Sequence, residues 1–96
     1  MITFGIFGFG IQGKKRAKIL SDLKIKYLVI DPVYVNSDYK SIEQIPLKKL
    51  KEITHFIIST PYKERINIIE KIKNLNVNIL IEKPAISSLK EKKFFE

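Results

Sequence analysis

The amino-acid sequence predicts an α/β fold, a parallel sheet wound with helices on both faces. Three observations carry this expectation. Short, near-continuous apolar runs lie at residues 2–8, 26–31, 54–59 and 77–82, the pattern of strands buried on both sides. Between them the apolar residues recur at helical spacing, with lysines interleaved. Each run also stops at a chain breaker: Gly8, Asp31-Pro32, Thr60-Pro61 and Lys83-Pro84.

The first run, "ITFGIFG", is a buried strand, weakened by Gly5 inside it. From Ile11 to Leu23 the positions Ala17, Leu20 and Leu23 mark one face of a helix. "KYLVID" forms the second strand, and a short extended piece around residues 32–35 is expected to be the third. "SIEQIPLKKLKEI" has helical spacing, interrupted or restarted at Pro46. "THFIIS" is the fourth strand, and residues 62–75 place Ile68, Ile69, Ile72 and Leu75 on one helical stripe. Asn76 follows, a residue that tolerates the left-handed conformation at a helix end. "VNILIE" is the fifth strand, and Ser87 or Ser88 caps a terminal helix running through Phe94 and Phe95. Right-handed crossovers then favour a doubly wound sheet ordered 3-2-1-4-5 in a single three-layer domain.

The 96 residues suffice for one domain. No apolar run approaches the ~18 residues of a membrane span, and no basic segment precedes the N-terminal apolar stretch. A cytoplasmic protein without a targeting segment is expected. The absence of cysteine excludes disulfides and thiolate metal sites, and no metal site is expected. The net charge of +8 admits nucleic-acid binding. The lysines, however, alternate with apolar residues and mostly lack aromatic neighbours that could stack on bases, so a solvated helix surface is the simpler reading and nucleic acid the least favoured partner. His55, the single histidine, starts a strand and reads as structural.

The stretch "GFGIQGKK" (residues 8–15) admits two chemistries. Gly8, Gly13 and Lys14 spell the opening of a P-loop, but such a loop needs a Ser or Thr next to hold magnesium, and Lys15 stands there. Gly8, Gly10 and Gly13 spell G-x-G-x-x-G between a strand and a helix. The first glycine permits the tight turn, the second lets backbone approach a pyrophosphate, and the third lets helix and strand pack closely. Phe9, Ile11 and Gln12 fill the remaining positions of the cradle, whose unpaired N–H groups and positive dipole end favour a diphosphate. Asp31, eighteen residues past Gly13 at the end of the second strand, can accept both hydroxyls of an adenine ribose and repel a 2′-phosphate. NAD is therefore the expected cofactor, with NADP the lesser choice.

With that loop in place, "STPYKERINIIEKIKNLNVNILIEKPAI" (residues 59–86) resembles the glucose–fructose oxidoreductase / inositol dehydrogenase / MocA (Gfo/Idh/MocA) family of nicotinamide-dependent sugar oxidoreductases. The residues that carry the resemblance are Thr60-Pro61 and Glu82-Lys83-Pro84 at matching separation. The resemblance implies an N-terminal Rossmann-like NAD-binding domain. Thr60 and Pro61 would border the cofactor cleft, Glu82 would contact the cofactor region, and Lys83 would both contact the cofactor and serve in catalysis. An ammonium there could stabilise alkoxide charge developing on a substrate hydroxyl. Tyr62 and Arg65 stand where the family usually has Asn and His, and Asn76 where it has Gly.

Members of that family run to several hundred residues and carry a second α/β domain that supplies the substrate pocket. On this resemblance, residues 1–96 would correspond to the dinucleotide-binding domain, truncated, with a sixth strand and the substrate domain missing. Completed, the protein would move hydride between a sugar hydroxyl carbon and nicotinamide, the sugar or nucleotide-sugar being read by the absent domain. By itself the chain is expected to bind NAD(H) weakly and turn over poorly or not at all. The alternative is a small non-enzymatic NAD-binding or interaction module. In that case the edge strand at 77–82 invites self-association or a partner chain.

Overall fold

The computed structural model describes residues 1–60 and 62–81. Four strands are present among them: β1 (Thr3–Phe7), β2 (Lys26–Ile30), β3 (His55–Ile58) and β4 (Asn78–Ile81). Three α-helices accompany them, α1 (Ile11–Asp22), α2 (Leu47–Glu52) and α3 (Tyr62–Ile72), with a 3₁₀ turn at Ile42–Gln44 before α2. All pairings are parallel, in the order β2-β1-β3-β4. The α/β class with a wholly parallel sheet is as expected from the apolar runs.

Strand alternation sorts the core into two layers. Ile6 and Ile57 point to the face covered by Ala17 and Leu20 of α1. Phe7, Leu28, Ile30, Phe56 and Ile58 point to the other, where Ile69 and Ile72 of α3 close the layer with Ile45 and Ile53 from the segment around α2. Gly5 belongs to the second face, and its missing side chain is used: a Cβ there would lie 2.7 Å from Cε1 of Phe56. The ring of a residue 51 positions away fills the space that makes this strand look weak.

The strand order 3-2-1-4-5 is not found, because residues 32–35 form no strand. The cause is Asp31. Its Oδ1 accepts the N–H of Val33 at 2.7 Å and of Tyr34 at 2.9 Å, while Pro32 has no N–H to give. The donors a ladder would need are thus held in a side-chain turn. Val33 and Val35 stand 87% and 81% exposed, so the apolar pair that suggested a strand packs on nothing. The outer edge of β2 is closed instead by Asp38, whose Oδ2 accepts the Val29 N–H at 2.8 Å, and by a single bridge from Tyr39 to Ile30.

Helix ends also differ in one detail. Asn76 does not take a left-handed conformation; among the described residues only Lys24 (φ 59°) and Gly8 have positive φ. Lys24 ends α1 in a Schellman motif, with Ile25 N–H to Leu20 O at 2.8 Å and Lys24 N–H to Ser21 O at 3.0 Å. Pro46 restarts the second helical segment as its missing donor dictates, standing at the N-cap of α2. The terminal helix expected after Ser87 or Ser88 lies outside the described residues. No described helix is long and apolar enough to cross a membrane.

Candidate functional site

The chain leaves β1 for α1 on one face of the sheet and leaves β3 for α3 on the other. Because β1 and β3 are neighbours, their carboxyl ends open a crevice at the point where the winding reverses, the place where open α/β sheets hold ligands. The residues at its floor are Gly8 after β1 and Ser59-Thr60 after β3.

Gly8 turns the chain at φ +89°, a backbone that only glycine adopts freely. Its N–H donates to Ile30 O at 3.0 Å, and a Cβ on it would lie 2.9 Å from Cγ2 of Thr60. Gly10 is the N-cap of α1 and carries no side-chain cap. The first helical bond runs from Lys14 N–H to Gly10 O at 3.0 Å, so the N–H groups of Ile11, Gln12 and Gly13 precede any intrahelical partner. A Cβ on Gly10 would meet nothing within 4 Å; the space beside it is open. Gly13 is the reverse case, since a Cβ there would overlap the Gly8 carbonyl oxygen. The three glycines thus serve a turn, an open approach and a close helix contact.

Asp31 joins this loop from the side. Its Oδ2 accepts the Phe9 N–H at 2.7 Å, and Oδ1 serves the turn at Val33 and Tyr34. Burial raises the carboxyl, but the N–H groups of Tyr34, Phe9 and Val33, aided by the Lys40 ammonium, outweigh it and hold Asp31 below its ordinary value. The Phe9 ring rests on Tyr34 with centroids 4.7 Å apart, and Lys14 Nζ sits 5.8 Å over the same Tyr34 ring.

A cavity of about 430 Å³ lies in the crevice, lined among others by Gly8, Phe9, Gly10, Asp31, Ser59 and Thr60. Behind its wall the Ser59 and Thr60 hydroxyls are buried with no hydrogen-bond partner among the described residues, a cost in free energy. A second cavity of about 260 Å³ adjoins it through Pro32, Thr60 and Glu64. Its floor is apolar, formed by Phe7, Ile30, Ile42 and Ile68. Glu43 and Lys71 stand on its rim and pair with each other, a bond that holds the Glu43 carboxyl below its ordinary value.

Of the residues singled out in the sequence, Gly8, Phe9, Gly10, Asp31 and Thr60 line one cavity. Gly13 is buried behind them, and Ile11 and Gln12 stand exposed at the helix start. Pro61, Glu82 and Lys83 lie outside the described residues. Sequence reasoning missed Ser59, Pro32 and Glu64. Ser59 had a usable signal, since it precedes Thr60 at the end of a strand adjoining the glycine strand. Glu64 had none beyond its place in the first turn of α3. His55 lies at the opposite, amino-terminal end of the sheet, stacked on Phe4 at 4.7 Å. Its two ring nitrogens meet Thr54 Oγ1 at 2.8 Å and Asn78 Nδ2 at 3.2 Å. Comparison of the chain with protein-family models, curated proteins and solved structures finds no match.

Proposed function

We propose that this chain is a Rossmann-like dinucleotide-binding unit that takes NAD in preference to NADP, of the kind found in Gfo/Idh/MocA-type sugar oxidoreductases. The observation that carries the reading is the uncapped start of α1, which presents its N–H groups beside an open Gly10 with the Asp31 carboxylate alongside. The residues fit a nucleotide diphosphate: Gly10 leaves the approach clear, and the first N–H groups of α1 precede any intrahelical partner. The missing third strand leaves the pair of strands that frame the crevice in place. Asp31, favoured in its ionised form, supports NAD, because a 2′-phosphate beside it would meet like charge.

In a completed protein NAD supplies the hydride chemistry. The chain's own part is to seat the diphosphate on α1, set a negative charge beside the adenine ribose through Asp31, and offer Lys83 as a cation near the substrate hydroxyl. The alternative module reading has one feature in its favour. β4 lies at the edge of the described sheet, and its Ile79 and Leu80 are 38% and 46% exposed, a surface suited to a second copy or a partner chain.

Titration of NADH fluorescence tests the main reading. The wild type is expected to saturate, with NADPH at least about tenfold weaker, and Gly10→Ala is expected to lose at least about tenfold, or ~1.4 kcal/mol. The fold should tolerate that variant within ~1 kcal/mol, the scale of N-cap effects. Absence of NADH binding up to millimolar concentration, or equal binding by Gly10→Ala, sinks the proposal.

A further inference from the structure

The Asp31 carboxylate does more in this molecule than face a groove. It spans two separate loops, taking the Phe9 N–H of the glycine loop on Oδ2 and the Val33 and Tyr34 N–H groups of its own turn on Oδ1. The contact then closes on itself, because the Tyr34 ring returns to pack on the Phe9 ring. Carboxylate to Phe9 backbone, Phe9 ring to Tyr34 ring, and Tyr34 backbone to carboxylate make a closed circuit. Three of the roughly four lone-pair positions of a carboxylate are already used, so little of its acceptor capacity remains for a ribose.

We propose that Asp31 is a positioning residue for the phosphate cradle, riveting the glycine loop to the turn after β2 so that Gly10 and the start of α1 stand ready for a diphosphate. The inference rests on the dinucleotide reading for its ligand but differs from a ribose-contact role in sign. A carboxylate that serves only ribose hydroxyls is a nearby negative charge to a bare diphosphate, and neutralising it should tighten diphosphate binding. A carboxylate that holds Phe9 in place must weaken diphosphate binding when it is lost. Asn at this position cannot substitute fully, since its amide offers one acceptor oxygen and a donor where the second acceptor stood.

The test uses calorimetric titration of the whole chain with inorganic pyrophosphate and, separately, with NADH. Asp31→Asn is expected to weaken both by a similar factor, at least about tenfold, the size of losing a charge-assisted hydrogen bond. Asp31→Glu keeps the charge and displaces the oxygens by one methylene, and it should also weaken pyrophosphate binding. Pyrophosphate binding that is unchanged or tighter in Asp31→Asn, or unchanged in Asp31→Glu, overturns the rivet. Hydrogen exchange at the Phe9 and Tyr34 amides decides the same question without ligand: faster exchange in Asp31→Asn supports it, and unchanged exchange overturns it. A wild type that binds neither pyrophosphate nor NADH removes the dinucleotide reading, while the amide exchange still judges the rivet.

Discussion

Gly13→Ala puts two opposed effects at one atom, and their sizes decide the outcome. Gly13 is the third residue of α1, and Ala is favoured over Gly within a helix by ~0.8–1.0 kcal/mol. Propensity alone therefore predicts a more stable protein. The new Cβ, however, would overlap the Gly8 carbonyl oxygen, coming roughly 1 Å inside the ~3.3–3.6 Å of an ordinary C···O contact. That oxygen has nowhere to go. The Gly8 N–H is tied to Ile30 O at 3.0 Å, the neighbouring strand end is fixed by Ser59 N–H to Phe7 O at 2.8 Å, and Ser59 and Thr60 crowd the far side of Gly8. Relief must come from tilting α1, which would loosen Ala17 and Leu20 on Ile6 and Ile57.

Overpacking of this kind costs ~1–3 kcal/mol, and contact with fixed backbone places it at the upper end. The predicted net effect is destabilisation by about 1–2 kcal/mol, a fall in Tm of roughly 5–15 °C for a chain of this size. Urea unfolding should show a lower midpoint with an unchanged slope, since the surface exposed on unfolding is the same. A variant as stable as the wild type, or more stable, would refute the close approach of α1 to the first turn and with it the placement of the cradle.

Other expected outcomes follow from the same contacts. Lys24→Gly should stabilise by about 0.5–1 kcal/mol, since Lys24 is exposed and strained at φ 59°, the left-handed penalty being ~1–2 kcal/mol less the greater entropy of an unfolded glycine; a lower Tm would contradict the Schellman assignment. Gly5→Ala and Phe56→Leu should each destabilise, but the double variant should fall short of their sum by at least about 1 kcal/mol in urea unfolding, because the smaller side chain vacates the space above residue 5. In acid, the stabilisation from Asp31 is present above its ordinary value of 3.8 and is lost as the pH falls through its lower folded value. The Tm difference between wild type and Asp31→Asn should therefore shrink below that pH, and a constant difference would count against the carboxylate as its source.

What could be read from the sequence divides along the range of the forces involved. The glycine loop was legible because its constraints are local: a positive φ at Gly8 and a helix start two residues later follow from residue type and spacing. Asp31 was legible as a groove residue through its place at the end of an apolar run. Its second task was not, because the bond to Phe9 joins residues 22 positions apart and leaves no periodic trace. The same bonds explain the misplaced third strand, where Val33 and Val35 imitate an extended pair but the turn takes the donors. Gly5 and Lys24 show the two directions of error. The glycine that looked weakening is required by a distant aromatic ring, and the left-handed position that glycine usually marks is occupied by lysine.

Several breaches of local preference among the described residues meet at the crevice. Gly8 has a left-handed backbone, Gly10 leaves the helix without a side-chain cap, and the first turn of α1 carries no acid. Lys14 and Lys15 follow at once, placing positive charge near the positive end of the helix dipole, an arrangement unfavourable by ~0.3–1 kcal/mol per charge at an exposed helix start. Ser59 and Thr60 bury hydroxyls that have no partner among the described residues. A sequence shaped for stability alone would put Ser or Asp at position 10 and an acid just beyond it. Away from the crevice, Lys24 is left-handed, and α2 likewise begins with no side-chain cap and no acid in its first turn. What sets the crevice apart from α2 is that its uncapped helix start faces an open cavity beside Gly10, which is the arrangement the proposed diphosphate site needs. An anion bound there, as proposed, would accept the N–H groups that lack an intrahelical partner, lie along the dipole and offset the lysines.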